Sequence, residues 1–119
     1  MTVSDHRQLI VWQKGVALAL ETYRISRCFP RDEMYGLTSQ IRRASVSIPS
    51  NIAEGNGRRH RAESAHHVSI ARGSLREVET LAEIAHGLEY IRKEELAMFR
   101  ELLDHVGRML TRLLKGLEA

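Results

Sequence analysis

Apolar residues recur at spacings of three and four along most of the chain, and no segment alternates with period two for long, so the pattern predicts helices throughout. Leu9, Trp12, Val16, Ala19 and Tyr23 mark a first helix to about Cys28, with Ser4 and Asp5 as candidate caps and with Phe29 and Pro30 closing it. Arg31 to Gly36 reads as a connector, with Asp32 a candidate cap, and a second helix runs from about Leu37 to Asn56, where Asn56 and Gly57 supply the C-terminal turn. A third begins near Arg61 or Ala62 and carries Ala65, Val68, Ala71, Leu75, Val78, Ala82 and Ala85 inward, ending around His86 and Gly87. After a turn from Gly87 to Ile91, the last helix repeats Leu96, Phe99, Leu103, Val106, Leu110, Leu113 and Leu117, the seam of a bundle. Leu102, Met109 and Leu114 widen that face, which then needs a second partner, either a neighbouring helix or another subunit. Four such helices joined by short turns imply an all-α, antiparallel up-down-up-down four-helix bundle, a single domain over residues 1–119.

The stretch from Gln40 to Gly57 departs from an ordinary amphipathic helix. Gln40, Arg43, Ser47, Asn51 and Glu54 form one polar stripe, and Leu37, Ile41, Ala44, Ile48 and Ile52 form an apolar stripe about one residue, or roughly 100°, around the same cylinder. The polar stripe therefore borders the core. Pro49 removes one backbone donor and frees the carbonyl of Ser45, at a cost of roughly 3 kcal/mol in a plain helix interior. Pro49 either kinks one continuous helix or ends one helix and starts another. Ser45, Ser47, Ser50 and Asn51 lie within reach of the freed backbone groups and favour the kinked helix.

Composition narrows the function. The formal charge is +3, and its location is more telling: from Arg42 to Arg61 five arginines stand against Glu54 alone, a local charge of +4, while the rest of the chain sums to −1. Fifteen of the eighteen basic residues are Arg. That suits bidentate phosphate contact, and a GC-rich genome would produce the same bias without a ligand. No run of about 18 apolar residues and no basic-then-apolar leader is present, so a cytoplasmic chain with no membrane partner is expected. The single cysteine, Cys28, excludes an internal disulfide and reads as a packed helix-end residue rather than a nucleophile.

The residues for catalysis do not assemble. Glu63 with His66 and Glu83 with His86 have the spacing used by two-metal carboxylate bundles, but both pairs fall on the third helix about 30 Å apart at 1.5 Å per residue, so one chain cannot bring them to one site. His60, His66 and His67 offer at most adventitious cation or phosphate contact. No nucleophile stands at a recognisable turn with a His partner, and Gly55 to Gly57 is too short for a phosphate loop and lacks a following Lys. Glu54 is expected to pair with an Arg rather than act as an acid or base. A non-enzyme without a metal or cofactor is the expectation.

Several landmarks together resemble the four-helix-bundle proteins encoded within intervening sequences of bacterial 23S ribosomal RNA genes, and their free-standing relatives. They are Leu9, Val11, Trp12 and Gln13; Phe29 and Pro30; Tyr35, Gly36 and Leu37; Gln40, Arg42, Arg43 and the specific run Ser47 to Gly55; then Ile70, Ala71, Gly73, Ser74, Leu75, Glu77, Glu79, Met109 and Leu110. The resemblance implies an antiparallel bundle that assembles as a homopentameric ring, similar in architecture to the pentameric accessory proteins of diversity-generating retroelements, which work with RNA and a reverse transcriptase. Two departures matter. Where relatives tend to cap the fourth helix with Ser or Thr this chain has Arg92, so that helix is expected to start late or fray. The run from Arg58 to Arg61 is also more basic than the pattern requires.

Two functions are then weighed. In the first, a ring binds RNA or other nucleic acid through Arg42, Arg58, Arg59, His60 and Arg61, with roughly three to five phosphate contacts per protomer multiplied by the ring. Aromatics for base stacking are absent from the window, so phosphate contact would dominate. In the second, the bundle is a structural or adaptor module for a protein partner, with no nucleic-acid binding. Gln40, Arg43, Ser47, Asn51, Glu54, Ser74 and Glu77 would then form a structural polar network within or between subunits, Arg43 facing Glu77 and Asn51 facing Ser74.

Overall fold

A computed structural model describes residues 5–119. Four α-helices follow one another, α1 Ile10–Ser26, α2 Leu37–Asn56, α3 Arg61–Gly87 and α4 Lys93–Glu118, with 3-10 turns at His6–Gln8 and Arg31–Glu33. Neighbours in sequence pack as neighbours in space, and α1 also meets α4, which closes a four-helix bundle of 43 × 25 × 20 Å. Leu18, Ile41, Ile48, Val68, Leu75 and Leu110 are fully buried along its axis.

The helix α2 runs through Pro49 as one element. Its expected apolar stripe, Leu37, Ile41, Ala44, Ile48 and Ile52, is buried. The side chains around Pro49 bond back to neighbouring carbonyls: Ser45 Oγ donates to Arg42 (2.8 Å), Ser50 Oγ to Val46 (2.8 Å) and Asn51 Nδ2 to Ser47 (2.9 Å). These bonds flank the Ser45 carbonyl that lacks its intrahelical donor and anchor the polar side chains along the helix. Gly15 of α1 lies over the proline; a Cβ there would sit 3.5 Å from Pro49 Cβ, so the two helices approach closely at that point.

The first helix is turned relative to expectation. Its buried face is Val11, Gly15, Leu18, Ala19, Thr22 and Ile25, so Ala19 is buried as expected, whereas Trp12 and Val16 are half-buried and Tyr23 is exposed. Gly15 packs against Ile48, Pro49 and Ile52 of α2, and the Thr22 hydroxyl donates to the Leu18 carbonyl (2.8 Å), so a polar residue enters the core satisfied. Asp5 caps the 3-10 turn before α1, accepting from the Arg7 N–H (3.0 Å), a bond that holds its carboxyl below the ordinary range; Ser4 lies outside the described residues. Cys28 is exposed rather than packed, its thiol donating to the Ile25 carbonyl (3.1 Å).

In α3, Ser64 and Leu81 join the buried face and Ala65 is only half-buried. In α4 the seam holds from Leu96 to Leu110 and then passes from Leu113 to Leu114, because a straight helix drifts against a 3.5-residue repeat. That helix begins directly after Arg92, without a late start: Glu95 accepts from the Arg92 backbone N–H (3.3 Å), which replaces the missing hydroxyl cap.

One carboxylate organises the end of the bundle where α2 starts. Asp32 caps nothing there; Glu33 instead accepts from the Leu37 N–H (3.2 Å) and from the Tyr90 hydroxyl (2.8 Å), tying the α1–α2 connector to the α3–α4 turn. Accepting that bond, the Glu33 carboxylate holds the Tyr90 phenol above its ordinary pKa, and burial adds to the shift. Gly36 leaves room for it, since a Cβ there would lie 2.9 Å from Glu33 Oε1. Beyond Gly87 the chain reverses through Glu89 at φ 66°, with Glu89 N–H bonded to the His86 carbonyl and Tyr90 N–H to that of Ala85, both at 2.9 Å. This is a Schellman turn with Glu where Gly is preferred.

Candidate nucleic-acid interface

The basic window lies at the opposite end of α2, in the four-residue turn to α3. Ser64, buried in the first turn of α3, donates from Oγ to the Gly55 carbonyl (2.8 Å). The same carbonyl accepts from the Arg58 N–H (3.3 Å), so the Ser64 bond is a second one at the end of α2, and it fixes the angle at which α3 leaves. Between these anchors Arg58 pairs with Glu54 (Nη2–Oε2 2.8 Å), the Arg partner expected for that carboxylate, and Arg61 Nη2 donates to the Gly116 carbonyl near the end of α4 (3.3 Å). The side chains of Arg59 and His60 are exposed and make no hydrogen bond or ion pair among the described residues. The C-terminus of α4 lies at this end as well, reached by Arg61 from the start of α3, and exposed carbonyl dipoles at helix C-termini favour cations.

Arg42 stands apart. Its Nε donates to Ser26 Oγ (2.8 Å) and its guanidinium lies 4.8 Å from the Tyr23 ring centroid, on the α1 side of α2. Fourteen residues of helix, or about 21 Å, separate it from Asn56, where the turn that carries Arg58 begins. The structure therefore brings Arg58, Arg59, His60 and Arg61 together and leaves Arg42 out.

The polar stripe divides in the same way. Ser47 and Ser74 join α2 to α3 through their hydroxyls (2.9 Å), and Asn51 Nδ2 donates to Ser47 O and Oγ (2.9 and 3.1 Å). With its amide nitrogen turned to a carbonyl, Asn51 presents Oδ1 to His67 Nδ1 (3.1 Å), so that nitrogen carries the proton and Nε2 is left free. Asn51 thus faces His67 rather than Ser74. Gln40, Arg43 and Glu77 are exposed, and Arg43 forms no ion pair with Glu77 among the described residues. The bond of His67 to Asn51 and the role of Ser64 are not read from the sequence. Their offsets from α2 become meaningful only once the α2–α3 crossing is known, although Ser64, four residues into a helix after a glycine turn, carried a weak signal.

A second surface feature follows from the rotation of α1. Trp12, Val16, Leu20 and Tyr23 line an open groove of about 410 Å³ with Val46 and Pro49 of α2, and Leu20 is 67% exposed. Among the described residues, no three His, Cys, Asp or Glu side chains stand where they could hold a metal ion. No helix among them is long and apolar enough to cross a membrane.

Fold and surface together define an all-helical bundle protein with a basic turn at one end and an apolar groove along one side. A family model described as 23S rRNA-intervening sequence protein matches residues 7–112, and the chain belongs to that family. It is also similar to the crystal structure of a protein of unknown function from the S23 ribosomal protein family of Bacteroides thetaiotaomicron VPI-5482. That chain is 22% identical and superposes with a TM-score of 0.83 over 89% of this chain and 99% of its own, a likeness of fold. Comparison with curated proteins found no significant match.

Proposed function

We propose that this protein is a non-enzymatic, ring-forming bundle that binds RNA in the cytoplasm through the basic end formed by Arg58, Arg59, His60 and Arg61, without metal or cofactor. The observation that carries this is the pinned α2–α3 turn, which holds four basic side chains on one edge with Arg59 and His60 unpaired among the described residues. Phosphate contact needs such donors on a rigid element more than it needs base-reading groups. An antiparallel arrangement is supported by paired positions that run in opposite order, Ser64 with Gly55 and Ser74 with Ser47, then Arg61 with Gly116 and Glu83 with Arg100. A kink at Pro49 is supported by the missing donor and the close approach of Gly15.

The ring is a homopentamer in this proposal. Its support within one protomer is the apolar groove between α1 and α2, an exposed face that a second copy would cover. Repetition of a weak basic edge around a ring gives salt-sensitive, sequence-tolerant avidity.

One observation favours a second function, an adaptor for a protein partner with no nucleic-acid binding: Arg58 and Arg61 already contact the protein itself. Isolation of the protein from its own cells in mild salt, followed by nuclease treatment and mass analysis, separates the two. Co-purifying RNA is the expected result. A protein partner that survives nuclease, with no RNA, would overturn RNA binding.

A further inference from the structure

The charge along α4 is divided. From Lys93 to Asp104 there are two basic and four acidic residues, whereas from His105 to Glu118 there are three basic residues, Arg108, Arg112 and Lys115, and one acidic, Glu118, at the last helical position. Folding brings the basic half beside Arg76 of α3. Arg76, Arg108 and Arg112 line a cleft of about 400 Å³ between α3 and α4, with Thr111 supplying a hydroxyl and Asp104 the one carboxylate. Gly107 forms the floor: a Cβ there would lie 3.0 Å from Leu75 Cδ2, so the helices close tightly beneath and the cleft stays open above. Arg76 is held by Glu79 (2.7 Å), while Arg108 and Arg112 form no ion pair among the described residues. Two arginines one turn apart repel each other without a ligand.

On the far side of Asp104 the groove changes sign. Glu79 and Glu83 line it there, and Arg100 is taken up by both oxygens of Glu83 at 2.7 Å. An anion is thereby confined to the half nearer the end of α4. That half leads to the basic turn, since Arg61 reaches the Gly116 carbonyl and Gly116 lies eight residues, or about 12 Å, beyond Arg108.

We infer that the α3–α4 cleft is a second phosphate-binding site, continuous with the α2–α3 turn, so that an RNA backbone follows one track from Arg59 past Lys115 to Arg108, Arg112 and Arg76. This rests on the RNA-binding function proposed above and adds to it a path and a direction. Arg108 and Arg112 against the carboxylate of Asp104, with Arg76 shared with Glu79, suit a phosphodiester, which accepts several charge-assisted hydrogen bonds at once.

The test is anisotropy of a fluorescent RNA hairpin with a single-stranded tail, titrated with the intact protein over a range of salt. Arg108→Gln with Arg112→Gln should weaken binding about tenfold at physiological salt and flatten the log–log salt slope by roughly 1.4–1.8, as for two lost phosphate contacts. Asp104→Asn should tighten binding about threefold, a gain that misfolding cannot imitate. Wild-type protein that binds no RNA would overturn both the function and the track. Wild-type binding that survives the Gln pair with unchanged affinity and slope, yet is lost in Arg58→Glu with Arg59→Glu and Arg61→Glu, would overturn the track alone.

Discussion

The two ends of α2 carry similar kinds of side chain and use them differently. Where α2 begins, Glu33 takes hydrogen bonds from Leu37 and Tyr90, Arg42 is bonded to Ser26 and lies over Tyr23, and Arg24 is bound to Glu21 with Glu95 at 3.9 Å. The Glu21 carboxylate holds the Arg24 guanidinium above its ordinary pKa. Charge at that end closes the structure by joining connector, turn and helix. Where α2 finishes, one buried hydroxyl, that of Ser64, fixes the backbone, and the basic side chains extend outward around it. Buried neutral bonds can hold a turn without satisfying the charges it displays. The side chains of Arg59 and His60 then remain available for a partner.

That contrast can be broken most sharply at the open end. Reversing Arg58, Arg59 and Arg61 to Glu together should lower RNA affinity by about 30-fold or more at physiological salt. Thermal stability should shift little, because exposed ion pairs contribute about 0–1 kcal/mol each. A large loss of melting temperature, measured by circular dichroism, would mean that these arginines are structural like those at the other end. Ser64→Ala should do the opposite, destabilising by about 1 kcal/mol through the loss of one buried hydrogen bond to the Gly55 carbonyl, read from urea denaturation. Its RNA affinity in the folded state should hold.

At the closed end, Glu89→Gly should stabilise by about 1 kcal/mol, since it removes a side chain from a left-handed position and a negative charge from a helix C-terminus. No gain in the urea midpoint would count against the Schellman turn. The smallest effect is one of pH. Because the Tyr90 pKa is raised on folding, the contribution of its bond to Glu33 is complete below about pH 10, the ordinary tyrosine value, and is lost as pH rises through the folded value. Tyr90→Phe should therefore show a shallower loss of stability above that pH than the wild type. Parallel curves would show that the bond does not link these elements.

Much of the fold was legible along the chain. The bounds of α2 at Leu37 and Asn56, the start of α3 at Arg61 and the seam of α4 through Leu110 follow from local signals: glycine turns, a proline closure and regular apolar spacing. The face of α1 was not legible, because counting apolar residues selects Trp12, Val16 and Tyr23, while Gly15 and a self-satisfied Thr22 are what fit against α2. The candidate site was half legible. Arg58 to Arg61 stand out as a run, but Arg42 belongs to the same window only in sequence.

By itself, the sequence determined the number of helices, their approximate ends and which residues carry charge, since backbone hydrogen bonding and amphipathic period act over a few residues. Only tertiary structure decided which charges are neighbours. Arg76 and Arg108 are thirty-two positions apart and share one cleft, whereas Arg42 and Arg58 are sixteen apart, one within α2 and the other just beyond its end, and do not meet. Contacts across helices depend on rotation and crossing, and small buried groups such as Gly15, Ser64 and Gly107 sit at these contacts here.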